Sequence, residues 1–537
     1  MVLFDMDTIL GRKAKYCRFV TLLSLCLCVS AVNFSCSSGP ADVRTYVPAD
    51  ALVYLETNDL GKMLRAITEN PKFEETAAFA PDLSAVDGVR VAVSVTGFET
   101  SEEIVTEENS VLKLQPHFVA VAETNAWSWQ AEKFVEVKLG EFVNKNYGGE
   151  IELDVTPKND GKYFVWKAKD GRRAFAMLQG SVVIFSNDES AIDKCLAVKR
   201  GEDDSISKNP KIASGGENLA RGYVSPDGVA QLSNLAGVST AMDAGDHTEV
   251  RSFIARVLPE ILRNSVKEVD WAAVKTTEGV EDRFTVSLAP EAAAVFAETM
   301  RPGKTDVGEL ARFVPGGARS STIYDLADPQ VAWRSILLTA QKSTDQISGG
   351  LLVAFSSSLF EPYGVESPEL FLSAIGPAIL TVTMDAEGEN VAVVAQTKDV
   401  VKVKASLAQE LATSKPPKTV EGTEMWTSED GEFAAAIVGN FVVAGETESV
   451  QKCINAFASR DKNAAPVPRP NSAALTRGRE LDPEAKLIDV LADRKPESGP
   501  LVEDYTTETR FEKNGIVRVT DSEFGLIGSL IERFAAE

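Results

Sequence analysis

Histidine is nearly missing from this chain, which holds two in 537 residues, His117 and His247. A structural zinc site draws on three or four His, Cys or carboxylate ligands at close spacing, and serine catalysis of the triad type needs an imidazole beside its nucleophile. Both chemistries are short of material, and no Gly-x-Ser-x-Gly elbow occurs. His117 is expected just ahead of a strand and His247 in the polar loop 243–247, both facing solvent. Cysteine is scarce where it would matter. Cys17, Cys26, Cys28 and Cys36 crowd the N-terminus, leaving Cys195 and Cys453 for the folded body, which excludes a disulfide-stapled scaffold. Basic charge is in deficit, 55 Lys and Arg against 79 Asp and Glu, for a net charge of -24. That surface disfavours nucleic acid, and it repels anionic headgroups, so membrane attachment would need a dedicated anchor. Apolar runs long enough to span a bilayer are absent beyond the N-terminus; the best, Leu351 to Phe355, gives way to Ser356, Ser357 and Ser358. Phosphate-cradling glycine patterns and the Asp-x-Asp-x-Asp-Gly order of a calcium loop are missing too, since Gly215-Gly216 and Gly349-Gly350 lack the lysine and spacing required. No cofactor and no metal is expected.

What is present begins with an export signal. Arg12, Lys13, Lys15 and Arg18 precede an apolar run from Phe19 to Phe34, which ends at Cys36 followed by Ser37, Ser38 and Gly39. This order resembles a bacterial lipoprotein signal, in which the cysteine is lipidated and a polar tether follows. Asn33 and Phe34 depart from that pattern, so three readings stay open: lipidation at Cys36, cleavage near Ala31, or an uncleaved anchor. Lipidation at Cys36 is preferred because the run is short for a span of about 20 apolar residues. The chain is then expected in the cell envelope, anchored to the membrane on its periplasmic or outer face.

The body repeats itself. Trp166-Lys-Ala-Lys-Asp170-Gly171 is echoed by Trp426-Thr-Ser-Glu-Asp430-Gly431, a separation of 426 − 166 = 260 positions. Collinear echoes flank this pair: Phe118 to Thr124 with Val391 to Thr397, Phe175 to Ile184 with Ala434 to Val443, and Lys194-Cys195 with Lys452-Cys453. Downstream, Leu219-Ala-Arg221-Gly222 answers Leu475-Thr-Arg477-Gly478, and Glu278-Gly279-Val280 answers Asn514-Gly515-Ile516. Repeats of this kind decide the architecture before any local reading does. Asp170-Gly171 and Asp430-Gly431 supply the positive φ of tight hairpins between alternating strands. The fold class that follows is α+β, a tandem duplication of a module with mainly antiparallel sheets and helices packed on one face. Residues 1–36 are assigned to the signal, 37–43 to a tether, 44–301 to the first repeat, 302–311 to a hinge and 312–537 to the second repeat, with a mobile linker near 459–470. The second repeat carries extra residues around 342–362 and lacks a counterpart of a helix near Val250 to Arg263.

At the motif Tyr46-Val-Pro-Ala-Asp50-Ala-Leu-Val-Tyr-Leu55, echoed at Phe313, and again from Phe175 to Lys194, the chain resembles a bacterial family of exported proteins catalogued as domain of unknown function 3352. The resemblance covers most of the mature chain. It implies an envelope location, no known reaction and no catalytic residues to carry over.

Other candidates for chemistry are few. Ser205-Ile-Ser-Lys208 fits a bare Ser-x-x-Lys pattern but reads as a solvated loop, since a catalytic lysine should be desolvated beside its serine. Glu102-Glu103, Glu107-Glu108 and Glu202-Asp203-Asp204 read as charged loops. Trp166 and Trp426 could line an apolar ligand surface where the copies meet, or each could cap its own core, which is preferred because aromatic rings bury large areas. Cys195 and Cys453 could pair if their helices meet on a two-fold axis, but duplicated core positions are the preferred reading. Function is expected to be non-enzymatic, a binding or structural role with a protein or small-molecule partner. The alternatives are a carboxylate-dependent hydrolase, marked by two carboxylates about 5 to 9 Å apart in a cleft, and a chaperone-like or transport-accessory protein with an apolar groove between the copies. Leu351 to Leu359 is the first candidate wall of such a groove, with a packed helix the preferred reading.

Overall fold

A computed structural model describes residues 41–71, 83, 86–106, 109–213, 217–243, 248–385, 388–408, 411, 418–459, 472–479 and 504–528. The signal with Cys36, His247, Glu107-Glu108, Gly215-Gly216 and linker residues 460–470 lie outside these, as does most of the stretch that would hold a second-half counterpart to the helix Thr248–Ser265.

The first half contributes β1 (Val53–Thr57), β2 (Arg90–Thr106), β3 (Asn109–Glu123), β4 (Glu152–Lys158), β5 (Gly161–Lys167), β6 (Arg173–Gln179), β7 (Val182–Ser186), β8 (Ala220–Val224), β9 (Val266–Lys275) and β10 (Val280–Leu288). The second contributes β11 (Ser320–Asp325), β12 (Ile375–Thr383), β13 (Val391–Thr397), β14 (Lys418–Val420), β15 (Thr423–Thr427), β16 (Phe433–Val438), β17 (Phe441–Glu446), β18 (Ala474–Gly478), β19 (Tyr505–Glu512) and β20 (Gly515–Ser522). All belong to one 20-stranded sheet. Its pairings run β4-β5-β6-β7-β3-β2-β1-β8-β9-β10 through the first half, every pair antiparallel. They continue β20-β19-β18-β11-β12-β13-β17-β16-β15-β14 through the second. Read inward from either end, the order is the same, so the duplicated module is laid down twice about a pseudo-two-fold axis.

That axis falls where β10 pairs with β20, from Val280 opposite Ser522 to Ser287 opposite Gly515, with Arg283 facing Val519 at the middle. The α+β class and the antiparallel sheet stand as expected. The packing of helices differs in one respect: they cover both faces. Helices Glu189–Arg200 and Thr447–Ala458 bury Cys195 and Cys453 against one face of their respective halves. Helices Ser128–Phe134 and Gly140–Asn146 cover the opposite face of the first half, as Pro368–Ala374 and Val400–Ser406 do in the second. The reason lies in the inner strands, where β7 buries all its residues and β17 nearly all, so two apolar faces require two covers.

Local signals set the elements. Asp59 and Asp328 cap the equivalent helices Leu60–Thr68 and Pro329–Lys342 by accepting from backbone N–H groups of the first turn. Gly171 (φ 92°) and Gly431 (φ 82°) take the left-handed turn positions. Asp170 and Asp430 each accept from the backbone N–H two residues on, Arg172 and Glu432, both at 3.0 Å. Glu102 and Glu103 lie inside β2, opposite Leu112 and Val111, and not in a loop. His117 likewise sits within β3, opposite Gly97; the paired backbone carries on past the point where alternation alone suggested a start.

The halves also exchange their ends. Helix Pro290–Thr299 leaves the first half and packs beside Pro329–Lys342 of the second, Thr299 donating to Ser335 Oγ at 2.8 Å, while Phe296 meets Phe511 with centroids 6.0 Å apart. In return, Leu526 joins Leu60, Met63, Leu64 and Trp271 in a first-half core, and its N–H donates to buried Asp282 at 2.7 Å. Residues 302–311, assigned to a hinge, are tied to the second half: Gly303 N–H donates to Asp325 O at 2.8 Å, and Leu310 and Ala311 are buried.

Candidate functional site

The repeated signature residues do not converge. Trp166 on β5 is fully buried among Phe164, Phe185 and Val135, whereas Trp426 on β15 is half-buried with the Lys404 ammonium 4.2 Å from its ring centre. Both strands lie second from opposite ends of the sheet, far from the β10/β20 junction, which removes the shared ligand surface; packing against their own helices decides their places. Asp170 and Asp430 are exposed turn residues, the first held below the ordinary carboxylate range by its hydrogen bond from Arg172 and the second by that from Ser428. Cys195 and Cys453 are free thiols in separate cores, each pushed up to about 12 by burial.

The remaining candidates are ordinary surface chemistry. His117 lies between Asp188 (3.3 Å) and Glu99 (3.4 Å) at the sheet surface. Ser205 caps the short turn Ile206–Lys208 and donates to Arg44 O at 2.7 Å, while Lys208 pairs with Asp204 in solvent. No three His, Cys, Asp or Glu side chains group as metal ligands among the described residues.

Two clefts are each lined by an Arg-Gly pair, Arg221-Gly222 of β8 and Arg477-Gly478 of β18. In the first half, Tyr54, Lys211, Arg221, Gly222 and Asp270 line a cleft of about 160 Å³. On this face Glu56 of β1 stands directly opposite Arg221 of β8, and Tyr54 opposite Tyr223. Tyr54 donates to Glu56 Oε2 at 2.8 Å and Arg44 Nε stands 3.8 Å from the same oxygen, while Glu56 Oε1 is buried with no hydrogen bond. Burial pushes the Glu56 carboxyl above its ordinary value, outweighing the pull of Tyr54, Arg44 and Arg221. Lys211 is flanked by Glu268 and Asp270; burial would lower its pKa, but the two carboxylates raise it overall. Every cation of this wall has an acid of the chain beside it or across from it.

In the second half a cleft of about 470 Å³ is lined by Arg312, Arg319, Ser321, Arg477, Gly478 and Arg479. Ser321 of β11 stands opposite Arg477 of β18; carried through the ladders, the repeat places this pair where the first half has Tyr54 opposite Tyr223. Two residues along, Arg319 O accepts from Arg479 N–H at 2.9 Å. Residues two apart on a strand share a face, which brings Arg319, Arg477 and Arg479 together on one wall. Arg312 flanks it, stacked 4.4 Å over Phe457 and donating to Phe457 O at 3.0 Å. Asp504 reaches Arg479 at 3.4 Å. The sequence echo sets Arg221 beside Arg477, but the ladders put Arg477 at the place of Tyr223, and the arginine wall is visible only once register brings Arg319 beside Arg479.

A third cavity, about 540 Å³, lies between the halves, where Ala292, Val295, Val331 and Leu338 form an apolar floor and Glu291, Arg334 and Lys342 a polar rim. Nearby, helix Gln346–Phe355 turns Ser348 and Gly349 inward and leaves Ile347 and Phe355 73% and 55% exposed. The segment expected as a packed helix is thus a helix with its apolar side outward, because Gly349 is the residue that fits closely against Gln341 and Thr344. No family model, no curated protein and no solved structure matches the chain.

Proposed function

We propose that this chain is an exported envelope protein, held at the membrane through lipid on Cys36, that acts by binding and not by catalysis, with the arginine cleft of its second half as the binding surface. The observation that carries the reading is the concentration of four guanidinium groups around a cleft of ligand size in a chain of net charge -24. The N-terminal charge and apolar pattern supports the location, and the resemblance to an exported bacterial family agrees with it.

A second reading, a chaperone-like or transport-accessory role, draws on the apolar cavity between the halves and the outward Ile347, Phe355 and Leu359. Fractionation with intact-mass measurement and native mass spectrometry of the membrane-extracted protein separates these. The expected result is a chain beginning at Cys36 with added acyl mass, released from the membrane by Cys36→Ala and carrying a small ligand that is recovered unchanged. An unprocessed cytosolic chain would sink the tether, chemical conversion of the ligand would sink the binding role, and an apolar ligand would favour the second reading.

A further inference from the structure

We infer that the cavity between the halves takes the acyl chain of a zwitterionic amphiphile, a lipid whose head group carries a phosphate and an ammonium. The site is separate from the arginine cleft and does not depend on it; it is the cavity on which the chaperone-like reading above draws.

The exchanged ends create this cavity. Helix Pro290–Thr299 of the first half runs in the opposite sense to Pro329–Lys342 of the second. Thr299 reaches Ser335 at the far end, while at the near end Ala289 N–H donates to Ser265 O at 2.7 Å and Ser265 Oγ lies 2.8 Å from Ser343 Oγ. The corresponding corner of the first half, where residues 524–528 meet helix Leu60–Thr68, is filled by Leu526, buried beside Leu60, Met63 and Leu64. In the second half the entering helix presents Ala292 and Val295, and about 540 Å³ stay open. Val295, Val331 and Leu338 line that space as exposed side chains, so an apolar surface is left against water. From Val331 to Lys342 the helix covers about 16 Å, the reach of an extended chain of about a dozen carbons.

The rim selects the head group. Arg334 is engaged by Glu369, 2.7 Å away. The Ser265 contacts bring Lys342 and Glu291 to the same end of the trough, yet both are exposed, they do not pair with each other, and neither has another partner among the described residues. A cation and an acid that stand unpaired at the end of an apolar trough match a head that carries both signs, with phosphate toward Lys342 and ammonium toward Glu291. An apolar floor with a few polar groups gathered at one end, at this volume, is the make-up of a small-molecule site.

The test is isothermal titration of the full purified chain with dodecylphosphocholine below its micelle-forming concentration, with decylphosphocholine, dodecyltrimethylammonium and dodecanoate as comparisons. Saturable binding of dodecylphosphocholine is expected, weakened about threefold or more by the loss of two carbons and tighter than that of either singly charged analogue. Leu338→Glu, at an exposed position, is expected to abolish it with the melting curve retained, and Lys342→Glu to weaken it by about fivefold. Co-sedimentation with phosphatidylcholine vesicles that falls in Leu338→Glu identifies the bilayer as the source of the lipid; binding of the soluble amphiphile alone identifies a free single-chain lipid. Absence of saturable binding overturns the inference, as does a singly charged analogue that binds as tightly, or binding unmoved by both substitutions. Binding lost in Arg477→Ala but not in Leu338→Glu also overturns it and assigns the amphiphile to the arginine cleft.

Discussion

Glu56 is a buried residue whose ionisation bears on the stability of the fold. Its side chain is 2% exposed, one oxygen accepts from Tyr54, and the other has no hydrogen bond. Burial raises its pKa above the ordinary 4.5, so the folded state holds the proton more tightly than the unfolded chain does. The stability this contributes is fully present below 4.5 and is lost as pH rises through the folded-state value. Glu56→Gln should therefore be at least as stable as the parent at about pH 8 and no better at about pH 4, where both side chains are neutral. Arg44 keeps Asp42 at 2.9 Å in the variant. Urea unfolding at the two pH values checks it; a variant less stable at the higher pH would show that the charge on Glu56 is a net gain to the fold.

At the scale of elements, the strand joining the halves depends on a single glycine. Gly515 opens β20 with φ 155° opposite Ser287, and a Cβ there would fall on the Val286 carbonyl oxygen. Gly515→Ala should lower stability by more than the about 1–2 kcal/mol of an unfavourable backbone conformation alone, read by thermal or urea unfolding. A cost below that would mean the joint yields.

The hairpins were legible because Asp-Gly dipeptides sit between alternating strands, and the capped helices because Asp59 and Asp328 precede apolar periodic runs. Helices on two faces had a signal, the unbroken apolar runs Val182 to Phe185 and Phe441 to Ala444, which outweighs the hairpin pattern used to expect one covered face. The order of strands across the halves had none, since local periodicity carries no record of which edges meet. The same blindness hid the cleft: Arg477 and Arg479 are visible in the sequence, but Arg319 and Ser321 lie more than 150 residues before them and become their neighbours only through register.

As a whole molecule the protein is one body and not two beads. Cutting it between the repeats would expose β10 along its length and strip the Leu60–Thr68 helix of Leu526. The isolated first repeat, residues 44–301, is expected to pair its exposed β10 with that of a second copy and run as a dimer in sedimentation, because an unpaired edge strand is a template for its own kind. A stable monomer would show that the joint is dispensable. Deleting residues 524–528 should loosen the first half before the second, seen as faster amide exchange around Trp271 and Val280.

The exchange of ends also sets a timetable. Leu526, which closes a core built mainly from residues 60–91 and 219–284, follows β20 in the chain and so is synthesised only after every strand of both halves. The core of the first repeat cannot close until the last strand of the second has been made, and a chain that stays open that long is one that can still be threaded through a narrow passage.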